Sequence, residues 1–170
     1  MKEEISLEES KEKAASFCAM SEKCTYDVKI KFKRWGIPED QQEEILNFLK
    51  KENFVNEARY ATYYVRDKFR FNKWGKLKIT AMLRAKQIND EIIELALSNI
   101  DLRDYQSSLY FLLSNKMETM DPEEDEFVQL GKIYRFAQMR GYELPLTKQT
   151  VERIKRNADR TPSTSFEDRY

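Results

Sequence analysis

The stretch VKIKFKRWGIPEDQQEEILNFL, Val28 to Leu49, occurs in related form twice more along the chain, and that recurrence decides the fold. Ile79 to Ile100, ITAMLRAKQINDEIIELALSNI, aligns with it without a gap 51 residues on, and Ile133 to Ile154, IYRFAQMRGYELPLTKQTVERI, follows after a further 54. Trp35-Gly36-Ile37, Lys86-Gln87-Ile88 and Arg140-Gly141-Tyr142 then share one register. Val28, Ile79 and Ile133 coincide, as do Leu46, Leu97 and Val151, and Leu49, Ile100 and Ile154. The last two sets lie three residues apart, one helical face period, so they form one core stripe. Repeats of this length are stacked supersecondary units, each burying an apolar face against its neighbours.

Capping signals fill in three helices per unit. Ser6-Leu7-Glu8-Glu9 is a capping box opening a helix to about Met20. Thr25 is a cap for a second helix, which stops at Gly36, and Pro38 suits the first turn of a third reaching about Lys51. Asn56 opens a helix to about Asn72, Gly75 interrupts, Lys76 to Ala85 is the next, and Asn89 caps one through Ile100. Asp101 precedes a helix to about Met117, Asp121-Pro122-Glu123-Glu124 starts one ending at Gly141, and the last spans about Thr147 to Arg156. The expectation is an all-α chain of three tandem three-helix repeats, 1–53, 54–100 and 101–156, forming an elongated, curved array. The polar residues 157–170 read as a mobile tail.

Composition removes several chemistries. With no histidine in 170 residues there is no His general base, no Ser-His or Cys-His pair and no His-ligated metal. Cys18 and Cys24 cannot complete a four-thiolate site, and their spacing puts them on different faces of a helix, so they are expected to be reduced thiols. No Gly-rich phosphate loop is present, and the acids show no opposed pair. The expectation is therefore no enzyme activity and no cofactor. The start MKEEISLEES is charged where a signal peptide needs an apolar run, and no stretch has the length of a membrane span, which predicts a cytoplasmic chain with no membrane partner.

Charge is segregated. Lysine and arginine balance aspartate and glutamate at 30 each, yet Arg59, Arg66, Lys68, Arg70, Lys73, Lys76, Lys78, Arg84 and Lys86 face one acid, Asp67, over residues 59–86. Such a patch meets phosphates or an acidic protein groove. Arg59, Arg66, Arg70 and Lys73 follow at spacings of one helix face, with Lys76 and Lys78 just beyond and Trp74 at the turn. These ten residues are the binding candidates. Lys29, Lys31, Lys33 and Arg34 are secondary candidates, spread over several faces. The acidic run Glu118, Asp121, Glu123, Glu124, Asp125 and Glu126 reads as capping and solubility.

The middle repeat resembles the signature of the RecX regulatory family. The resemblance rests on Phe54-Val55-Asn56-Glu57-Ala58-Arg59-Tyr60-Ala61, Tyr64-Val65-Arg66, Lys73-Trp74-Gly75-Lys76-Leu77-Lys78-Ile79, Leu83 and Lys86-Gln87-Ile88. It extends to Trp35-Gly36-Ile37 and Met139-Arg140-Gly141-Tyr142. Pro38, Glu143 and Gln87 depart from the family pattern, Gln87 standing where glycine is expected. The resemblance implies a non-enzymatic modulator of the RecA recombinase that lies in the groove of the RecA–DNA filament and restrains recombination and coprotease activity; the chain is separately expected to be a monomer. From the basic patch alone, an autonomous module binding single- or double-stranded DNA is the alternative, and from the repeat alone, a protein-interaction scaffold.

Overall fold

A computed structural model describes residues 6–160, with the side chains of 159 and 160 left aside. Among the described residues there are nine helices and no strands: α1 (Leu7–Ala19), α2 (Thr25–Trp35), α3 (Glu39–Lys51), α4 (Glu57–Arg70), α5 (Lys76–Ala85), α6 (Asp90–Leu97), α7 (Leu102–Glu118), α8 (Glu126–Arg140) and α9 (Leu144–Arg160). No described helix is long and apolar enough to cross a membrane. Two compact units are present. One holds the chain through Asn72 together with Ile79–Asn99; the other holds Lys73–Lys78 and the chain from Ile100 onward, so the first turn of α5 belongs with the second unit.

The repeat is visible in burial. Val28, Ile79 and Ile133 are buried, and so are three further aligned sets: Phe32, Leu83 and Ala137; Ile37, Ile88 and Tyr142; Ile45, Ala96 and Thr150. Burying a side chain such as Phe32 contributes about 1.5–3 kcal/mol. Of the stripe expected from the alignment, Leu46, Leu49, Ile100 and Val151 are buried, while Leu97 and Ile154 are only half-buried.

The helix stops repeat in the same way. After α2 the Gly36 amide donates to the Lys33 carbonyl and the Ile37 amide to Phe32; after α5 Gln87 donates to Arg84 and Ile88 to Leu83; after α8 Gly141 donates to Gln138 and Tyr142 to Ala137. This paired bonding closes a helix with a left-handed residue followed by an apolar one. Gly36, Gln87 and Gly141 have φ of 70°, 59° and 85°. Gln87 thus adopts the left-handed turn despite lacking glycine's freedom.

Several boundaries differ from expectation. Cys24, not Thr25, is the residue before α2, its amide donating to Asp27 Oδ2 at 3.4 Å, while the Thr25 amide donates to Glu57 Oε1 at 2.7 Å. The Asp121-Pro122 start signal makes a turn instead of a helix. Asp121 Oδ1 accepts from the Glu123 amide and its carbonyl from Glu124 and the Gln129 side chain, and Asp125 caps α8 through the amides of Phe127 and Val128. Helix α9 begins three residues early, since Pro145 is tolerated in a first turn. It also takes in residues 157–160; the rest of the expected tail, 161–170, lies outside the described residues, as do residues 1–5.

Candidate functional site

On α4 the apolar face, Tyr60, Ala61 and Val65, is buried, which turns the cations to other faces. Arg59 does not face outward. Its Nε donates to Glu22 Oε1 at 2.8 Å, and Nη2 donates to the Asn53 carbonyl at 2.9 Å and to that of Phe54. The guanidinium therefore braces the connection between α3 and α4 by capping two of its backbone carbonyls. Arg66 is half-exposed, beside Asp67 at 3.1 Å and over the Tyr63 ring at 4.6 Å. Lys68 lies over Tyr64 at 5.4 Å, and Arg70 is exposed at the helix end. Cations there also suit the negative end of the helix dipole.

Lys73 does not continue this face. Helix α4 ends at Arg70, and Lys73 has φ of 55° in the connecting turn. From there the segment is built into the second unit by its backbone. The Gly75 amide donates to the Arg140 carbonyl at 2.7 Å, Leu77 to Gly141 at 3.0 Å, and Lys76 to the Tyr105 hydroxyl at 2.9 Å. That hydroxyl in turn donates to Glu143 Oε2 at 2.7 Å. A Cβ on Gly75 would lie 2.2 Å from the Gly141 oxygen, so glycine is required for this approach. Lys76 sits 5.0 Å over Tyr105, while Lys78 lies 4.5 Å over the half-buried Trp74 and donates to the Met139 carbonyl at 3.1 Å. Nothing in the spacing of the sequence pointed to Tyr105 or Glu143 as the residues holding Lys76.

The remaining two candidates are engaged inside the first unit. Arg84 pairs with Asp90 at 2.7 Å on the surface. Lys86 pairs with Asp27 at 2.6 Å, both side chains mostly buried, with the Tyr26 and Tyr60 rings about the ammonium. Burial alone would raise the Asp27 carboxyl, but hydrogen bonds from Lys86 and Cys24 outweigh it and hold the carboxyl below its ordinary value. Burial likewise opposes the Lys86 charge, and the Asp27 contact overcomes it, pushing the ammonium upward. Burial pushes the Cys18 and Cys24 thiols up to about 11, so neither is a thiolate at neutral pH. Both cysteines are free.

Of the secondary candidates, Lys29, Lys33 and Arg34 are exposed along α2, while Lys31 packs over Phe17 at 5.1 Å. The acidic run is partly spent in capping and in ion pairs, Glu124 with Lys132 and Glu126 with Lys155.

Residues 56–97 match the family model described as RecX, second three-helix domain. A Regulatory protein RecX from Clostridium beijerinckii is 29% identical over 145 residues, spanning 85% of this chain and 67% of the relative. Its counterpart from Clostridium botulinum is 31% identical over 126 residues, spanning 74% of this chain and 58% of the relative. The matches thus cover between 58% and 67% of these relatives' length. The crystal structure of RecX from Lactobacillus salivarius superposes with a TM-score of 0.79 at 20% identity over 88% of this chain and 96% of that one, sharing its all-α fold.

Proposed function

Because the chain belongs to the RecX family of regulatory proteins, we propose that it is a non-enzymatic regulator of the RecA recombinase. In this reading it seats in the groove of the RecA–DNA filament and restrains recombinase, ATPase and coprotease activity. One observation carries the reading: the outward end of α4, Arg66, Lys68 and Arg70, lies inside the stretch that matches the family model. Lys73 and Lys76 follow in the same stretch, the latter on a backbone tied at three amides.

The chemistry needed is association, not turnover. Exposed cations steer the chain toward an acidic or phosphate-lined surface, and their contribution falls as salt rises past a Debye length of about 8–10 Å. Arg66 and Arg70 carry planar forks suited to bidentate contacts with carboxylate or phosphate, which lysine lacks. The test is RecA ATPase on single-stranded DNA titrated with the protein. Substoichiometric protein should lower it, and folded protein at saturation with no effect on ATPase or strand exchange would sink the reading.

A further inference from the structure

A second surface, entirely within the second unit, gathers arginine and carboxamide donors of its own. Between α7 and α9 runs a cavity of about 350 Å³ whose lining includes Gln106, Gln149, Thr150, Glu152, Arg153 and Arg156. Gln149, Arg153 and Arg156 follow at four and three residues, so they stand on one face of α9, with Gln106 opposite on α7. Neither guanidinium has a carboxylate partner among the described residues, whereas neighbouring Lys155 is paired with Glu126. Arg153 is not loose: its guanidinium lies 4.6 Å over the Tyr110 ring, and the Tyr110 hydroxyl accepts from Asn157 Nδ2 at 3.2 Å. Stacking covers a face of the guanidinium and leaves its in-plane N–H donors available. The Thr150 hydroxyl is already used, donating to the Leu146 carbonyl at 2.8 Å. What remains is two arginines and two carboxamides able to donate into one groove, opposed by the single carboxylate of Glu152.

We propose that this groove binds the phosphodiester backbone of a nucleic-acid strand, with Arg153 and Arg156 neutralising phosphates and Gln106 and Gln149 donating to their oxygens. Phosphate oxygens offer only acceptors, which matches these donors, and successive phosphates along a strand match cations one helical turn apart. The proposal is independent of the regulator reading, since it involves other residues and needs no recombinase.

The experiment uses the full chain and a fluorescent oligothymidylate of about 20 nucleotides, with anisotropy followed from about 50 to 200 mM salt. Arg153→Gln with Arg156→Gln should weaken binding about tenfold at low salt and flatten the log–log salt slope by about 1.4, the loss of two single-strand phosphate contacts. The paired Arg→Lys variant should keep the slope, and Glu152→Gln should tighten binding, which keeps the test decisive if the glutamine pair lowers the melting temperature. The proposal is overturned if the wild-type chain does not bind the oligonucleotide, if the glutamine pair leaves the slope unchanged, or if polyglutamate competes as well as DNA. RecA ATPase inhibition, scored separately, stands or falls on its own.

Discussion

Arg59 and Arg70 both belong to α4, but Arg59 folds back onto Glu22 and the carbonyls of Asn53 and Phe54, whereas Arg70 reaches the surface at the helix end. The same division runs through the whole basic segment. Lys86 is enclosed with Asp27 between tyrosine rings, and Lys78 bonds the Met139 carbonyl, while Arg66 and Lys73 remain accessible. Counting charge treats these residues alike. Their partners divide them into cations that hold the fold and cations available to hold something else.

That division can be broken most forcefully at Gly75. Gly75→Ala puts a methyl group 2.2 Å from a backbone oxygen, which no side-chain rotation relieves, and should cost about 3 kcal/mol in urea unfolding. An alanine variant of wild-type stability would mean that the Lys73–Lys78 segment is not docked as described.

The inner cations come next. Asp27→Asn leaves Lys86 without its counter-charge and should cost about 2 kcal/mol at neutral pH. The sign of the pH dependence follows from the lowered Asp27 carboxyl: its stabilisation is complete above the ordinary carboxylate value of about 4 and is lost as pH falls through the lower folded value. Melting temperatures of wild type and variant should therefore converge in acid. A gap constant from pH 7 to 3 would show that the pair is not the source.

The outer cations should behave in the opposite way. Arg66→Gln with Arg70→Gln should shift stability by less than about 0.5 kcal/mol, as surface changes do, yet weaken inhibition of RecA ATPase about tenfold, near 1.4 kcal/mol. Loss of stability without loss of inhibition would reverse the assignment. The smallest effect sharpens the comparison between the repeats. Gln87→Gly should stabilise the first unit by about 1 kcal/mol by removing a left-handed non-glycine residue, whereas Gly36→Gln should cost a similar amount.

Much of the fold was legible because its signals are local. The capping box at Ser6, the caps at Asn56, Asn89 and Asp101, and the stops at Gly36 and Gly141 all stand where the residues placed them. Asp121-Pro122 misled because an aspartate before proline opens a turn as readily as a helix, and a second aspartate, Asp125, took the cap. The site was less legible. Helical spacing put Arg59, Arg66, Arg70 and Lys73 on one face, but spacing carries no information on Glu22, which claims Arg59, or on the turn that ends α4 before Lys73. The contacts from Lys76 to Tyr105 and from Lys78 to Met139 join residues far apart in the chain, beyond the reach of any periodicity. Arg153 and Arg156 escaped for a related reason: they are few, and only the packing of α9 on α7 brings them beside Gln106.

The central claim is that outward cations, not the basic segment as a whole, engage a recombinase filament. It is tested most directly by titrating RecA ATPase on single-stranded DNA with wild-type protein and with a variant carrying Arg66→Gln, Arg70→Gln, Lys73→Gln and Lys76→Gln. The account predicts substoichiometric inhibition by the wild type and at least tenfold weaker inhibition by an equally stable variant; equal inhibition by the two proteins would contradict it.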